Sequence, residues 1–84
     1  MKITKVEFYG DERGNFLRYS TIEIDHAVVI RGLRLIRRPD TTIMISMPRR
    51  KRIDDTYEDV AHPANATARR VIEEAVLNAW KKHE

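Results

Sequence analysis

The chain has 84 residues, enough for one small domain with a single hydrophobic core. It contains no cysteine, which excludes disulfides, zinc–thiolate sites, iron–sulfur clusters and thiol nucleophiles. The longest apolar run, residues 27–30, is far shorter than the ~20 residues of a membrane-spanning helix, and residues 1–5 lack the apolar stretch of a signal peptide. We therefore expect a soluble cytoplasmic protein without a membrane partner.

The basic residues are concentrated in the middle of the chain. The whole chain has a net charge of +3, but residues 31–52 hold eight basic residues and one acidic residue, a segment charge of +7. Seven of the eight are arginines, whose planar guanidinium groups form bidentate contacts with phosphate more readily than lysine does. This distribution favours the binding of a polyanion, and a merely solvated surface is the alternative.

The first half of the chain has the pattern of three antiparallel strands. Residues 2–9 alternate between polar and apolar side chains, and residues 16–24 are rich in aromatic and β-branched side chains. The two glycines between these strands are typical of a hairpin turn. Asp25 and His26 can form a tight turn into a third strand, residues 27–37. Gly32 interrupts that strand, and a bulge there would switch which face of the sheet its apolar side chains occupy.

The pattern after the third strand is more polar. Residues 42–47 predict a fourth strand, which Pro48 ends because proline cannot donate to the ladder of hydrogen bonds. Residues 49–56 read as a charged loop, and residues 57–61 as a short fifth strand.

The last segment predicts a helix. Asn65 or Thr67 can cap its start, and apolar residues then recur at the spacing of one buried helix face. Those positions are Ala68, Ile72, Ala75, Val76, Ala79 and Trp80. The fold class is therefore α+β, with an antiparallel sheet of four to five strands followed by one C-terminal amphipathic helix.

The strongest local feature is the basic run after Met47 and Pro48. Arg49, Arg50, Lys51 and Arg52 are consecutive cations that repel one another, so they must be exposed. A loop held in place by the preceding strand could contact phosphates, and Arg69 and Arg70 at the helix start could extend the same patch. The alternative is a solubilising loop that protects a sheet edge, with Glu73 and Glu74 neutralising the two helix arginines. The aromatic residues Tyr9, Phe16, Tyr19 and Tyr57 are accounted for more simply by packing on the sheet than by stacking on bases.

Catalytic and metal-binding patterns are absent from the sequence. His26, His62 and His83 do not share a metal-binding spacing, and no cofactor-binding motif is present. Asp59 precedes His62 by three residues, but a structural histidine at a turn accounts for that pair better than a hydrolase does. We expect neither an enzyme nor a small-molecule substrate.

An ordered set of motifs along the chain resembles one known family. The set comprises Asp25-His26, Leu33-Arg34-Leu35-Ile36, Met47-Pro48 with its basic run, residues 58–65 (EDVAHPAN), and residues 75–80 (AVLNAW). These motifs, their order and the length of the chain resemble the stage V sporulation protein G (SpoVG) family of bacterial regulators, also called septation proteins. The resemblance covers essentially all of residues 1–84, which would form a single SpoVG-like domain.

The resemblance implies a homodimer that forms through its sheet and binds DNA and RNA, with links to gene regulation, sporulation and septation. It places the nucleic-acid contacts at Arg49, Arg50, Lys51 and Arg52, and at Thr67, Arg69 and Arg70 near the helix start. A different hypothesis is a protein-interaction module that acts in cell division or septum formation without binding nucleic acid.

Overall fold

The structure, a computed structural model, describes residues 1–83 and contains six strands and one helix. In chain order these are β1 (Ile3–Tyr9), β2 (Phe16–Ile24), β3 (Val28–Arg37), β4 (Ile43–Ser46), β5 (Arg49–Lys51), β6 (Tyr57–Asp59) and α1 (Ala66–His83). The first four strands form an antiparallel sheet in the order β1-β2-β3-β4, and β5 pairs with β6 in a separate two-stranded sheet. This arrangement confirms the α+β fold class.

The hydrophobic core lies between α1 and one face of the four-stranded sheet. Ile72, Val76 and Trp80 are buried on the helix, as its apolar spacing predicts, and Leu33 and Leu35 lie beneath them on the sheet. Phe8 of β1 contacts Trp80 edge to face, with ring centroids 5.3 Å apart. Within residues 1–83, no helix is both long and apolar enough to cross a membrane.

A bulge at Gly32 decides which side chains of β3 reach the core. The register with β2 shifts between the pairs Ile22–Ile30 and Ser20–Leu33, so β3 has one extra residue there, and Gly32 has a φ of +89°. The left-handed conformation suits glycine, which has no Cβ to clash. Ile30 faces the helix before the bulge, and Leu33 faces it after the bulge. The predicted change of face is therefore confirmed.

Local hydrogen bonds confirm the predicted turn and cap. Asp25 and His26 both have a φ of +53°, and the N–H of Ala27 donates to the carbonyl of Ile24 at 2.9 Å, closing a tight turn between β2 and β3. At the helix start, Asn65 is the capping residue, because its Oδ1 accepts a hydrogen bond of 2.8 Å from the N–H of Ala68.

The prediction of a loop over residues 49–56 was wrong at its start. Arg49, Arg50 and Lys51 form β5, which pairs in antiparallel register with Asp59, Glu58 and Tyr57 of β6. A run of like charges favours a loop only if no strand with opposite charges pairs with it. Here acidic residues stand directly across from Arg49 and Arg50, so the pairing offsets the repulsion within the run.

Candidate nucleic-acid interface

The hairpin of residues 49–59 displays all four predicted cations. The side chains of Arg49, Arg50, Lys51 and Arg52 are exposed, as their mutual repulsion requires. The connection from β5 to β6 is closed by a hydrogen bond of 2.7 Å from the N–H of Arg52 to the carbonyl of Thr56. The cations are therefore fixed at their backbones, while their side chains reach into solvent.

Three of the four cations already have carboxylate partners within the hairpin. Nε of Arg50 lies 2.6 Å from Oε1 of Glu58, and Nη2 of Arg52 lies 2.9 Å from Oε2 of the same carboxylate. Nζ of Lys51 lies 3.2 Å from Oδ1 of Asp55. Hydrogen bonds from Arg50 and then Arg52 lower the pKa of Glu58 below its ordinary value of 4.5, so Glu58 is charged at neutral pH.

Arg49 differs from the other three cations of the run. Its guanidinium carbon lies 4.8 Å from the ring centroid of Tyr57, a cation–π distance, and it makes no salt bridge within residues 1–83. Arg49 also lines a shallow groove of about 330 Å³ together with Arg38 and Arg69. These three arginines come from β5, from the turn after β3 and from the first turns of α1.

The helix-start residues are only partly brought into this groove. Thr67, Arg69 and Arg70 are all exposed, but of the three only Arg69 lines the groove. Nη1 of Arg69 lies 3.8 Å from Oε2 of Glu73, which also lines the groove. The groove therefore contains Arg49 and Arg69, two of the candidate residues, together with Arg38, which was not among the candidates.

The hairpin as a whole carries no net charge. Residues 49–59 contain four basic residues and four acidic residues. The basic segment of residues 31–52, with its charge of +7, ends just before these acids. The positive charge that remains without a carboxylate partner includes Arg31, Arg34, Arg37 and Arg38 of β3 and its following turn, none of which forms a salt bridge within residues 1–83.

Asp59 and His62 do not form the pair that a hydrolase would need. Nδ1 of His62 donates instead to the carbonyl of Pro63 at 3.1 Å. In the part of the chain that the structure describes, no three histidine, aspartate or glutamate side chains converge on a possible metal position. The chemistry available at this surface is the recognition of an anion by guanidinium groups.

Comparison with known proteins agrees with the motif order. The sequence profile of the SpoVG family matches residues 1–82. A protein of Myxococcus xanthus named "Putative septation protein SpoVG" is 41% identical over 83 residues, covering 99% of this chain and 83% of its own length. Proteins of the same name from Anaeromyxobacter sp. (strain K) and Archaeoglobus fulgidus are 38% and 32% identical, covering 98% and 99% of this chain and 80% and 98% of their own lengths. The chain belongs to the SpoVG family.

Proposed function

We propose that this chain is a cytoplasmic nucleic-acid-binding regulatory protein that acts as a homodimer in processes linked to sporulation and septation. The observation that carries the proposal is the groove at which Arg38, Arg49 and Arg69 meet from three separate parts of the chain. Asp59 and Glu73 also line the groove, so its three arginines leave a net charge of +1. Guanidinium groups at such a shallow surface groove suit the phosphates of a nucleic-acid backbone. The septation link comes from the names of the relatives.

The ion pairs of the hairpin are compatible with phosphate binding. Exposed salt bridges contribute only about 0–1 kcal/mol, because water and salt screen them. A phosphate that approaches Arg50 or Arg52 can therefore compete with Glu58 for the guanidinium group, and it replaces the carboxylate in a share of the complexes. In the bound state we expect contacts from Arg49, Arg50, Lys51 and Arg52, together with Thr67, Arg69 and Arg70 at the helix start.

The exposed apolar residues of the hairpin support the homodimer. Ile53 is fully exposed, and Tyr57 and Val60, the residue directly after the hairpin, are more than half exposed. An isolated two-stranded hairpin is marginally stable in water, so burying these side chains against a second copy would stabilise it. A dimer carries two copies of each arginine groove, and two linked weak sites can bind ~10²–10⁴ times more tightly than either site alone.

Salt-dependent binding tests the proposal. The variant R49Q/R50Q/K51Q/R52Q removes four charges, and K2Q/K5Q/K81Q/K82Q removes four charges elsewhere as the matched control. Each phosphate contact contributes a slope of about 0.9 to the dependence of log K on log salt for duplex DNA. We expect the hairpin variant to lose a slope of up to about 3.6, which is four contacts at about 0.9 each, and the control to keep most of its slope.

Two outcomes would contradict the proposal. Equal slopes for the wild type and the hairpin variant, measured with both DNA and RNA over a series of salt concentrations, would show that the hairpin is not part of the interface. A monomeric mass in sedimentation, at the protein concentrations used for binding, would contradict the proposed homodimer. Circular dichroism melts of both variants check that their folds are intact.

The protein-interaction module remains the second candidate, and the zero net charge of the hairpin favours it. The hairpin has four acidic and four basic residues, and the apolar side chains of Ile53 and Tyr57 are exposed on it. Such a mixture of charged and apolar side chains is typical of a protein interface. The two candidates differ during purification. Nucleic acid that co-purifies at low salt and is released at high salt supports binding to nucleic acid, and a protein partner retained after nuclease treatment supports the alternative.

A further inference from the structure

The sheet face opposite α1, called here the open face, carries a cluster of aromatic and basic side chains. Tyr9, Tyr19 and Arg34 are neighbours across β1, β2 and β3 in the register of the sheet. Ser20 and Leu33, the residues next to Tyr19 and Arg34, are fully buried on the core side. Because successive side chains of a strand alternate between faces, Tyr19 and Arg34 belong to the open face.

The two tyrosine rings form a platform on this face. The rings of Tyr9 and Tyr19 are stacked, with centroids 5.2 Å apart and an angle of 19° between their planes, and Phe16 meets Tyr19 edge to face at 4.7 Å. Tyr9 and Tyr19 remain 37% and 38% exposed, so packing on the sheet leaves ring surface open to solvent. A Cβ on Gly10 would lie 3.0 Å from Cδ2 of Tyr19. Because Gly10 has no side chain, the ring of Tyr19 can stack on Tyr9 without this close contact.

Two arginines beside the platform lack carboxylate partners. The guanidinium carbon of Arg31 lies 5.7 Å from the ring centroid of Tyr9. Arg34 lies directly across from Tyr19, and its Nε is buried without a hydrogen-bond partner within residues 1–83. Neither arginine forms a salt bridge there, whereas Arg50 and Arg52 of the hairpin both do.

Acidic residues also lie on this face: Glu7 and Glu23 line a groove with Lys5 and Val29, and two more acids lie beside the rings. Asp11, Glu12 and Arg13, from the connection between β1 and β2, line a groove of about 420 Å³ with Phe16 and Tyr19. Carboxylates there repel phosphate, while the unpaired charges of Arg31 and Arg34 attract it. A strand of nucleic acid on this face would therefore run its phosphates along the β3 arginines and place its bases over the rings.

We propose that the open face is a second nucleic-acid contact, which binds unpaired bases by stacking on Tyr9 and Tyr19 and holds the adjoining phosphates with Arg31 and Arg34. A sheet with a helix on one face and exposed aromatic residues on the other is suited to single strands, because every base has a π-face and unpaired bases can stack on aromatic rings. A duplex keeps its bases stacked inside and gains nothing from such a platform. This inference rests on the proposed nucleic-acid-binding function and gives that function a preference for single strands.

Binding of a fluorescent twelve-nucleotide oligo(dT), and of a blunt duplex of the same length, distinguishes this contact from the arginine groove. The variant Y9L/Y19L keeps apolar side chains but removes the rings, and V29A alters an exposed residue on the same face as the matched control. Stacking contributes roughly 5- to 100-fold in affinity per base, so we expect Y9L/Y19L to bind oligo(dT) at least ~10-fold more weakly with an unchanged salt slope. Duplex binding by Y9L/Y19L, and both affinities of V29A, should stay within ~2-fold of the wild type.

A measurement on the unaltered protein covers the possibility that Y9L/Y19L does not fold. In a proton NMR titration with oligo(dT), the ring signals of Tyr9 and Tyr19 should shift, because a stacked base adds its ring current. Unmoved Tyr9 and Tyr19 signals at saturation would overturn the inference.

The remaining outcomes separate this inference from the proposed function. If the wild type binds oligo(dT) and folded Y9L/Y19L binds it equally well, the open face is not a contact and the arginine groove remains. If the wild type binds neither oligonucleotide, both proposals fail. Y9L/Y19L could instead weaken the binding of oligo(dT) and of the duplex equally and lower the sedimentation mass. The open face would then contact a second copy of the chain, and the inference would be wrong.

Discussion

Glu58 should restrain nucleic-acid binding, and the substitution E58Q tests this directly. The carboxylate of Glu58 accepts from both Arg50 and Arg52, at 2.6 and 3.1 Å, so one acid engages two of the four cations in the basic run. Glutamine keeps the size of the side chain and removes its charge. E58Q should therefore release one or two guanidinium groups for contact with phosphate.

The magnitude follows from the number of arginines released. Each added phosphate contact raises the salt slope by about 0.9, which corresponds to a further ~3-fold loss of affinity between about 50 and 200 mM salt. If both Arg50 and Arg52 gain a contact, that loss becomes ~10-fold. At low salt E58Q should therefore bind duplex DNA more tightly than the wild type, and the advantage should shrink as salt is added.

Fluorescence anisotropy at four salt concentrations, with E74Q as the control, measures this effect. Glu74 is an exposed acid on α1 that forms no salt bridge within residues 1–83, so E74Q changes the net charge by the same amount without releasing an arginine. A steeper slope for E58Q alone supports the reasoning. Equal slopes for E58Q, E74Q and the wild type would refute it, because Glu58 would then not compete with phosphate for Arg50 and Arg52.

Three further predictions concern stability. V76A should lower the free energy of unfolding by about 2 kcal/mol and the melting temperature by roughly 10 °C, because Val76 is fully buried between α1 and the sheet. An unchanged melting temperature in calorimetry would contradict the assignment of Val76 to the core. N65A should cost about 1 kcal/mol in urea unfolding, because the N–H of Ala68 loses its capping acceptor, and N65D should recover most of it. Hydrogen bonds from Thr56 lower the pKa of Asp54, and hydrogen bonds from Arg50 and Arg52 lower the pKa of Glu58. Both acids therefore stabilise the hairpin at any pH above their ordinary pKa values. This stabilisation is lost as the pH falls through the lowered pKa values. Carbon-detected NMR titration of the two carboxyl groups should give midpoints below 3.8 and 4.5, and ordinary midpoints would show that the hairpin contacts do not form in solution.

The sequence predicted the four-stranded sheet and the helix because their signals are local. Alternation within a strand and the helical spacing of Ile72, Val76 and Trp80 depend on residues only a few positions apart. The bulge at Gly32 was also predictable, since a glycine at the point where the apolar pattern of a strand changes parity is typical of a bulge.

The hairpin and the distribution of charge could not be predicted in the same way. Arg50 can lie in a strand because Glu58 pairs with it across the hairpin. The two residues become neighbours only after the two strands have paired. Along the sequence, Glu58 lies six residues beyond the end of the basic segment at Arg52. The meeting of Arg38 with Arg49 and Arg69 likewise depends on three elements that only the folded chain brings together.

The contact between Phe8 and Trp80 joins the first strand of the chain to the last turns of its helix. Contacts between residues so far apart in sequence form late and slow the folding of small proteins. A nascent chain released before Ile72, Val76 and Trp80 have been added would leave Leu33 and Leu35 facing water with no helix to cover them. Synthesis interrupted before residue 72 should therefore yield a product that aggregates or is degraded, because the core face of its sheet stays uncovered.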